Sequence, residues 1–155
     1  KIPAFTIDES ALNQKQGAFV TIKKEGELRG CIGAFQPDFP LWEVVSQMAI
    51  AAATQYNRFS PVQEDELPEL EYEVSVLSPL KKISGWSQIE YGSQGVQIKK
   101  GLRSGVFLPQ VAQETGWSFE EFMGQLCSQK AGLPSDCWKD PNAEIYTFTA
   151  QVFNE

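Results

Sequence analysis

Gly26-Glu27-Leu28-Arg29-Gly30-Cys31-Ile32-Gly33 is the most informative stretch of the chain. It follows an alternating run, residues 18–24, across a tight Glu25-Gly26 turn, a pattern that predicts a β-hairpin. Successive strand side chains point to opposite faces. Leu28, Gly30, Ile32 and Ala34 then share one face, and Glu27, Arg29, Cys31 and Gly33 the other. Arg29 and Cys31 stand roughly 6.5–7 Å apart at the backbone. A guanidinium beside a thiol favours the thiolate. Gly30 and Gly33 leave the backbone bare, so a ligand or a packed helix can come close.

Outward from this stretch, Gln36-Pro37-Asp38-Phe39-Pro40 breaks the chain. Pro40 opens a predicted helix to about residue 54, with Leu41, Val44, Val45, Met48 and Ala52 on one face. Its alanine-rich second half is slim enough to lie over Gly30 and Gly33. A loop over residues 56–62 and one helical turn at 63–67 precede an alternating strand at 70–77. Residues 78–93 are irregular. Residues 95–100 and 103–108 predict a second hairpin turning at Lys100-Gly101, and Pro109 opens a short helix through Glu114. Ser118 with Glu121 is a capping box, and Trp117 and Phe122 take the staple positions of a helix whose stripe is Phe119, Phe122, Met123 and Leu126. Gly132 and Pro134 give its stop. Residues 144–153 read as one closing strand, with Tyr146, Phe148, Ala150 and Val152 on a common face. Residues 1–16 have little periodicity and are expected to wrap the surface.

The expectation is a single α+β domain over residues 1–155, with an antiparallel sheet, two hairpins and two main helices. A length of 155 residues suffices to bury a core without staples. The net charge of −7 argues against a nucleic-acid or anionic-membrane surface. No window approaches a membrane span. Three cysteines, Cys31, Cys127 and Cys137, with no C-x-x-C pair, speak against a disulfide framework and for a reduced, cytoplasmic setting. Cys127 reads as a small core residue. The chain opens on Lys1-Ile2-Pro3, with neither a signal-peptide apolar segment nor an initiator methionine, as a trimmed chain or part of a longer protein would.

The chain has no histidine, which removes the usual general base and the commonest metal ligand. Scattered cysteines make no zinc pattern, the glycine spacing is not a dinucleotide fingerprint, and no cofactor is expected. Glu64, Asp65, Glu66 and Glu69 read as a solvated acidic run. Among 13 basic residues, Arg29, Arg58 and Arg103 are the arginines. Arginine suits planar, bidentate recognition of carboxylate or phosphate. Either at least two of them converge on an anion-binding cleft beside Cys31, or each holds a loop through an acidic neighbour or a carbonyl. Tyr56 and Phe59 flank Arg58 and either stack on a planar ligand or anchor the core. Cys31 is open to three readings: a nucleophile with Arg29 holding the thiolate and Glu27 carrying the proton, a ligand-lining thiol, or a packing residue. As a nucleophile set it is incomplete without histidine.

Six segments, GAFVTIKKEGELRGCIG, AAATQYNRFSPV, ELPELEYEVSVLSP, GVQIKKGLRSGVFLPQVAQETGW, EFMGQLCSQKAGLPSDCW and YTFTAQVF, occur in order from residue 17 to 153. Together they resemble the AMMECR domain family, whose prokaryotic members are called AmmeMemoRadiSam system protein A. The resemblance implies an α+β fold with a larger lobe, a smaller lobe and a cleft between them. It also implies an activity that is not established. Association with a Memo-like, extradiol-dioxygenase-like protein and a radical-SAM protein is expected, in a shared modification pathway. Two departures stand out: the family's upstream helix is absent or trimmed, and Asn57 stands where relatives often carry Asp. Two functions follow as expectations. One is an enzyme component binding an anionic or planar group between Arg29, Arg58 and Arg103, with Cys31 at the reacting centre. The other is a non-catalytic adaptor that docks with, or presents substrate to, those partners.

Overall fold

The opening hairpin forms where the alternation places it. In a computed structural model that describes residues 10–35 and 37–154, β1 (Ala18–Lys24) pairs antiparallel with β2 (Glu27–Ala34). Glu25 and Gly26 both take positive φ, 53° and 78°, as a two-residue turn matched to strand twist requires. Of the predicted surface wrap over residues 1–16, residues 1–9 lie outside the described residues. Helix α1 (Leu41–Thr54) begins after Pro40 and buries the predicted stripe: Leu41, Val44 and Ala52 are buried, with Val45 and Met48 packed beside them. A short 3-10 turn, Glu64–Glu69, leads into β3 (Leu70–Leu77), which pairs with the free side of β1.

The slim end of α1 lies against β2, as its alanines predict. A Cβ built on Gly30 would sit 2.1 Å from the Ala52 carbonyl oxygen, so only glycine admits this approach. Val20, Ile22, Ala52 and Leu70 close the core below. Burying an aliphatic side chain of this size contributes about 1.5–3 kcal/mol. The alternation of β1 thus reaches the fold through one helix that can approach closely.

The second unit is built around the second hairpin. β5 (Gly95–Lys100) and β6 (Arg103–Phe107) turn at Gly101, φ 61°. β7 (Glu144–Phe148) flanks β5, and a three-residue strand, β4 (Lys81–Ile83), flanks β7, giving the order β4-β7-β5-β6. Helices α2 (Gln110–Thr115) and α3 (Phe119–Gln125) follow β6. The Ser118 hydroxyl accepts the Glu121 amide at 3.2 Å, and the Glu121 carboxylate accepts the Ser118 amide at 2.8 Å, completing the predicted box. Phe122, Met123 and Leu126 are buried with Val96, Ile98, Phe107, Trp138 and Ile145.

Two expectations are corrected. The closing strand is two strands: β7 stays with β5, whereas β8 (Ala150–Asn154) joins the first sheet beside β3, in the order β2-β1-β3-β8. The alternation runs across the break at Thr149 and conceals it, because both halves are strand. On β7, Ile145, Thr147 and Phe148 are buried. Finally, Cys127 and Cys137 form a disulfide. After α3 the chain widens into a π turn, Leu126–Lys130, and reverses at Gly132, φ 66°. The two cysteines return with their Cα atoms 5.9 Å apart, within bridging range. The chain therefore comprises two units: one runs through Pro79 and resumes at Gln151, the other is Leu80–Ala150.

Candidate functional site

Arg29 leaves β2 on the face away from α1 and is held on three sides. Its Nε and Nη2 donate to the two carboxylate oxygens of Glu66, each at 3.0 Å, and its Nη1 donates to the Ser60 carbonyl at 2.8 Å. The side chains of this pair are only 14% and 15% exposed. Glu66 also accepts from Lys24 at 3.3 Å and from the backbone amide of Gln63 at 2.8 Å. The forked Arg29 hydrogen bond, followed by the Gln63 amide, pulls the Glu66 carboxyl down to about 2. Glu66 therefore does not belong to a solvated acidic run. It is the residue that ties the β2 strand to the 56–66 loop. The signal for it was present as Gln63 with Glu66 three residues on, a capping-box spacing.

The linkage has a definite sign. A carboxyl whose folded pKa is about 2, against about 4.3 in an unfolded chain, adds stability that is fully present above about pH 4.5. That contribution is lost as pH falls through about 2. Glu66→Gln is expected to be less stable than wild type at pH 7 and to show a shallower loss of stability between pH 4.5 and pH 2. Urea titrations at pH 7, 4 and 2.5 check this, and parallel curves for the two proteins would contradict it.

The remaining predicted residues are placed as follows. Gly30 is occupied by the α1 approach. At Gly33 a Cβ would meet the ring of Phe19 at 2.3 Å, so an aromatic side chain from the neighbouring strand lies over it. Cys31 is half-buried and lies outside the disulfide, with Sγ 3.3 Å from the Thr21 hydroxyl across the hairpin. Glu27, the proposed proton carrier, is exposed beside the turn. Arg103 belongs to the second unit and donates to the Gly132 carbonyl, anchoring the reversal after α3.

Arg58 behaves differently. It is exposed, and among the described residues its guanidinium donates to the Tyr56 hydroxyl alone, at a long 3.4 Å. Its guanidinium carbon is 5.8 Å from the Phe59 ring centroid, and that of Arg29 is 5.9 Å from the same ring. Tyr56 and Phe59 have ring centroids 5.9 Å apart. Phe59 keeps 40% of its surface exposed. The structure thus brings Arg29 and Arg58 to one aromatic ring, with Arg29 already paired and Arg58 nearly unengaged. Cationic groups at this range are attracted to the ring's π face.

Elsewhere on the first unit, a groove of about 650 Å³ is lined by Leu41, Trp42, Val45, Val74, Val76 and Phe153 among others, and has an apolar character that suits no anion. Among the described residues no group of three or more Cys, Asp or Glu is arranged to hold a metal ion, and no helix is long and apolar enough to cross a membrane.

These units, an antiparallel sheet closed by one helix and a second sheet inserted before its last strand, define an α+β protein of the AMMECR type. The AMMECR1 family model matches residues 1–153, and the chain belongs to that family. Protein NEQ441 of Nanoarchaeum equitans is 45% identical over 151 residues, covering 93% of this chain and 83% of the relative. Protein TK0174 of Thermococcus kodakarensis is 47% identical over 152 residues, covering 92% and 74%. The crystal structure of the uncharacterized protein PH0010 from Pyrococcus horikoshii superposes with a TM-score of 0.91 at 41% identity, covering all of this chain and 81% of that one. The relatives' names are locus designations and carry no activity.

Proposed function

We propose that this protein is a recognition component of a modification pathway. It binds a small planar anion at the corner formed by Arg58, Phe59 and Tyr56, and works with Memo-like and radical-SAM partners. The observation that carries the reading is the exposed Phe59 ring flanked by two guanidinium groups, one of them nearly unengaged. A planar ligand can stack on the ring while Arg58 meets its charge bidentately. Arg29 contributes as a positioning residue, holding the loop through Ser60 and Glu66. Because the guanidinium of Arg29 is committed to Glu66, it is not available to hold a Cys31 thiolate. That favours presenting the bound group to the partners over reacting with it.

Phenyl phosphate is a suitable probe, since it joins a planar ring to a phosphate. Saturable NMR shifts at Tyr56, Arg58 and Phe59 are expected, with affinity falling roughly tenfold in Arg58→Ala through loss of a charge-assisted pair. Equal binding by Arg58→Ala, or no saturable shift, would overturn the reading. Partner capture with wild type, Cys31→Ala and Arg58→Ala tests the presentation role. Loss of captured partners in Cys31→Ala would instead favour a reacting thiol.

A further inference from the structure

The second unit contains a polar pocket independent of the Arg58 corner. It has a volume of about 450 Å³ and is lined by Lys81, Lys82, Ser84, Gln88, Glu90, Gln94 and Thr147, with Ile83. Its most informative member is Thr147. The strand register places Thr147 opposite Lys81 on β4 and Val96 on β5, two residues from Ile145. Ile145, Val96 and Ile98 are core residues. Thr147 therefore occupies the outer end of a hydrophobic face and is itself only 2% exposed. Valine would fill the same space without a hydroxyl. Among the described residues no hydrogen bond holds the Thr147 hydroxyl, which keeps access to the pocket that the residue lines.

The other groups point the same way. Gln88 uses its carbonyl oxygen to accept from the Ser84 amide at 2.9 Å and the Ser84 hydroxyl at 3.0 Å. Gln94 uses its carbonyl oxygen to accept from the Glu90 amide at 3.0 Å. Both side chains are thereby oriented with their NH2 groups left to donate, and among the described residues neither NH2 has an acceptor. Lys82 is paired with Glu144 at 3.1 Å, whereas Lys81 has no ion pair among the described residues. The result is a pocket with one uncommitted cation, two oriented amide donors and a hydroxyl open to it. One carboxylate, Glu90, is also present and can accept from a ligand hydroxyl.

From this arrangement we infer that the pocket is a binding site for a small hydroxylated anion, a phosphorylated or carboxylated sugar in size and chemistry. The anionic group sits between Lys81 and the Thr147 hydroxyl, and the hydroxyls face Gln88, Gln94 and Glu90. A monosaccharide bearing one such group fits within this volume. The amides and the carboxylate supply the donors and acceptor that a bare inorganic anion would leave unused.

The test uses the full chain with three probes: glucose 6-phosphate, glucuronate, and glucose as the neutral control. Backbone and side-chain amide NMR signals are followed in wild type, Lys81→Ala, Thr147→Val and Arg58→Ala. Saturable shifts at Thr147, Gln88 and Gln94 with at least one anionic probe are expected, and the stronger of the two identifies the anionic group. Lys81→Ala should weaken that binding roughly tenfold and Thr147→Val roughly fivefold, as loss of a charge-assisted and a neutral hydrogen bond would. Thr147→Val should melt close to the wild-type temperature, because the hydroxyl it removes is open to the pocket and holds no hydrogen bond within the protein, so lost binding is not lost folding. Arg58→Ala should bind these probes like wild type, which separates this site from the Arg58 corner. No saturable shift with either anion, shifts that glucose reproduces, or shifts that Lys81→Ala retains in full would overturn the inference.

Discussion

Gly30→Val is expected to destabilise the first unit by about 3 kcal/mol or more, at the upper end of what overpacking costs, because the new side chain meets backbone and not a movable side chain. Even the first added carbon lies 2.1 Å from the Ala52 carbonyl oxygen. The obstructing atom belongs to α1, so relief requires the helix end to lift away from β2. That exposes Val20, Ile22 and the underside of Ala52, which are buried together. For a chain of this length the loss corresponds to a fall in melting temperature of about 6–12 °C. Gly30→Ala should show the same effect with smaller size. Thermal melts and urea titrations of both variants check it. A valine variant as stable as wild type would mean that α1 has a second seat on the sheet. Gly33→Ala makes a useful comparison, since its obstruction is the Phe19 ring, a side chain that can rotate aside.

The second large effect belongs to the disulfide. Cys127 and Cys137 are separated by ten residues and both are buried. Closing a loop of that length stabilises a chain by about 2.5–3 kcal/mol on the loop-entropy account. The double variant Cys127→Ala/Cys137→Ala should lose about that amount, and wild type measured under strong reductant should approach the same value. Urea titration with and without dithiothreitol checks both. Because the two sulfurs are inside the core, loss of the bridge should be slow in the native protein and faster in mild denaturant. An unchanged midpoint under reductant would mean that the packing of Trp138, Leu126 and Ala131 alone holds this region.

Much of the fold could be read directly. The hairpins, α1 and α3 announce themselves because their signals are local: alternation, a two-residue turn, a capping box, a glycine stop. What escaped was set by distant partners. Residues 144–153 alternate without interruption, and nothing in that run reveals that Thr149 separates strands of different sheets. β4 is only Lys81–Ile83, too short to show a period, and is made a strand by β7 beside it. The disulfide needed a π turn and a reversal that spacing alone does not show.

The candidate site divides along the same line. Arg29, Gly30 and Cys31 stand out in sequence because arginine is scarce and the glycines are bare. Their neighbours Glu66 and Ser60 are more than 30 residues away and become partners only through the fold. The glycines turned out to admit Ala52 and Phe19, a packing role that looks identical, in sequence, to room for a ligand. Arg58 looked equivalent to Arg29 and is not, because no carboxylate reaches it among the described residues. Thr147 gives no sign at all, since threonine is ordinary in strands and the access of its hydroxyl to a pocket depends on which side of the sheet it faces.

The division of the first sheet between residues before Pro79 and residues after Ala150 has a consequence for synthesis on the ribosome. β2, β1 and β3 emerge early and can zip together at once, but β3 lacks its neighbour until the whole second unit has been made. During that interval β3 presents unpaired backbone groups, a template for pairing with another nascent chain. Leu80–Ala150, by contrast, is contiguous and holds its full sheet and its disulfide. The unit translated second is therefore the one that can finish first, and the arrival of β8 is the step that closes the vulnerable window.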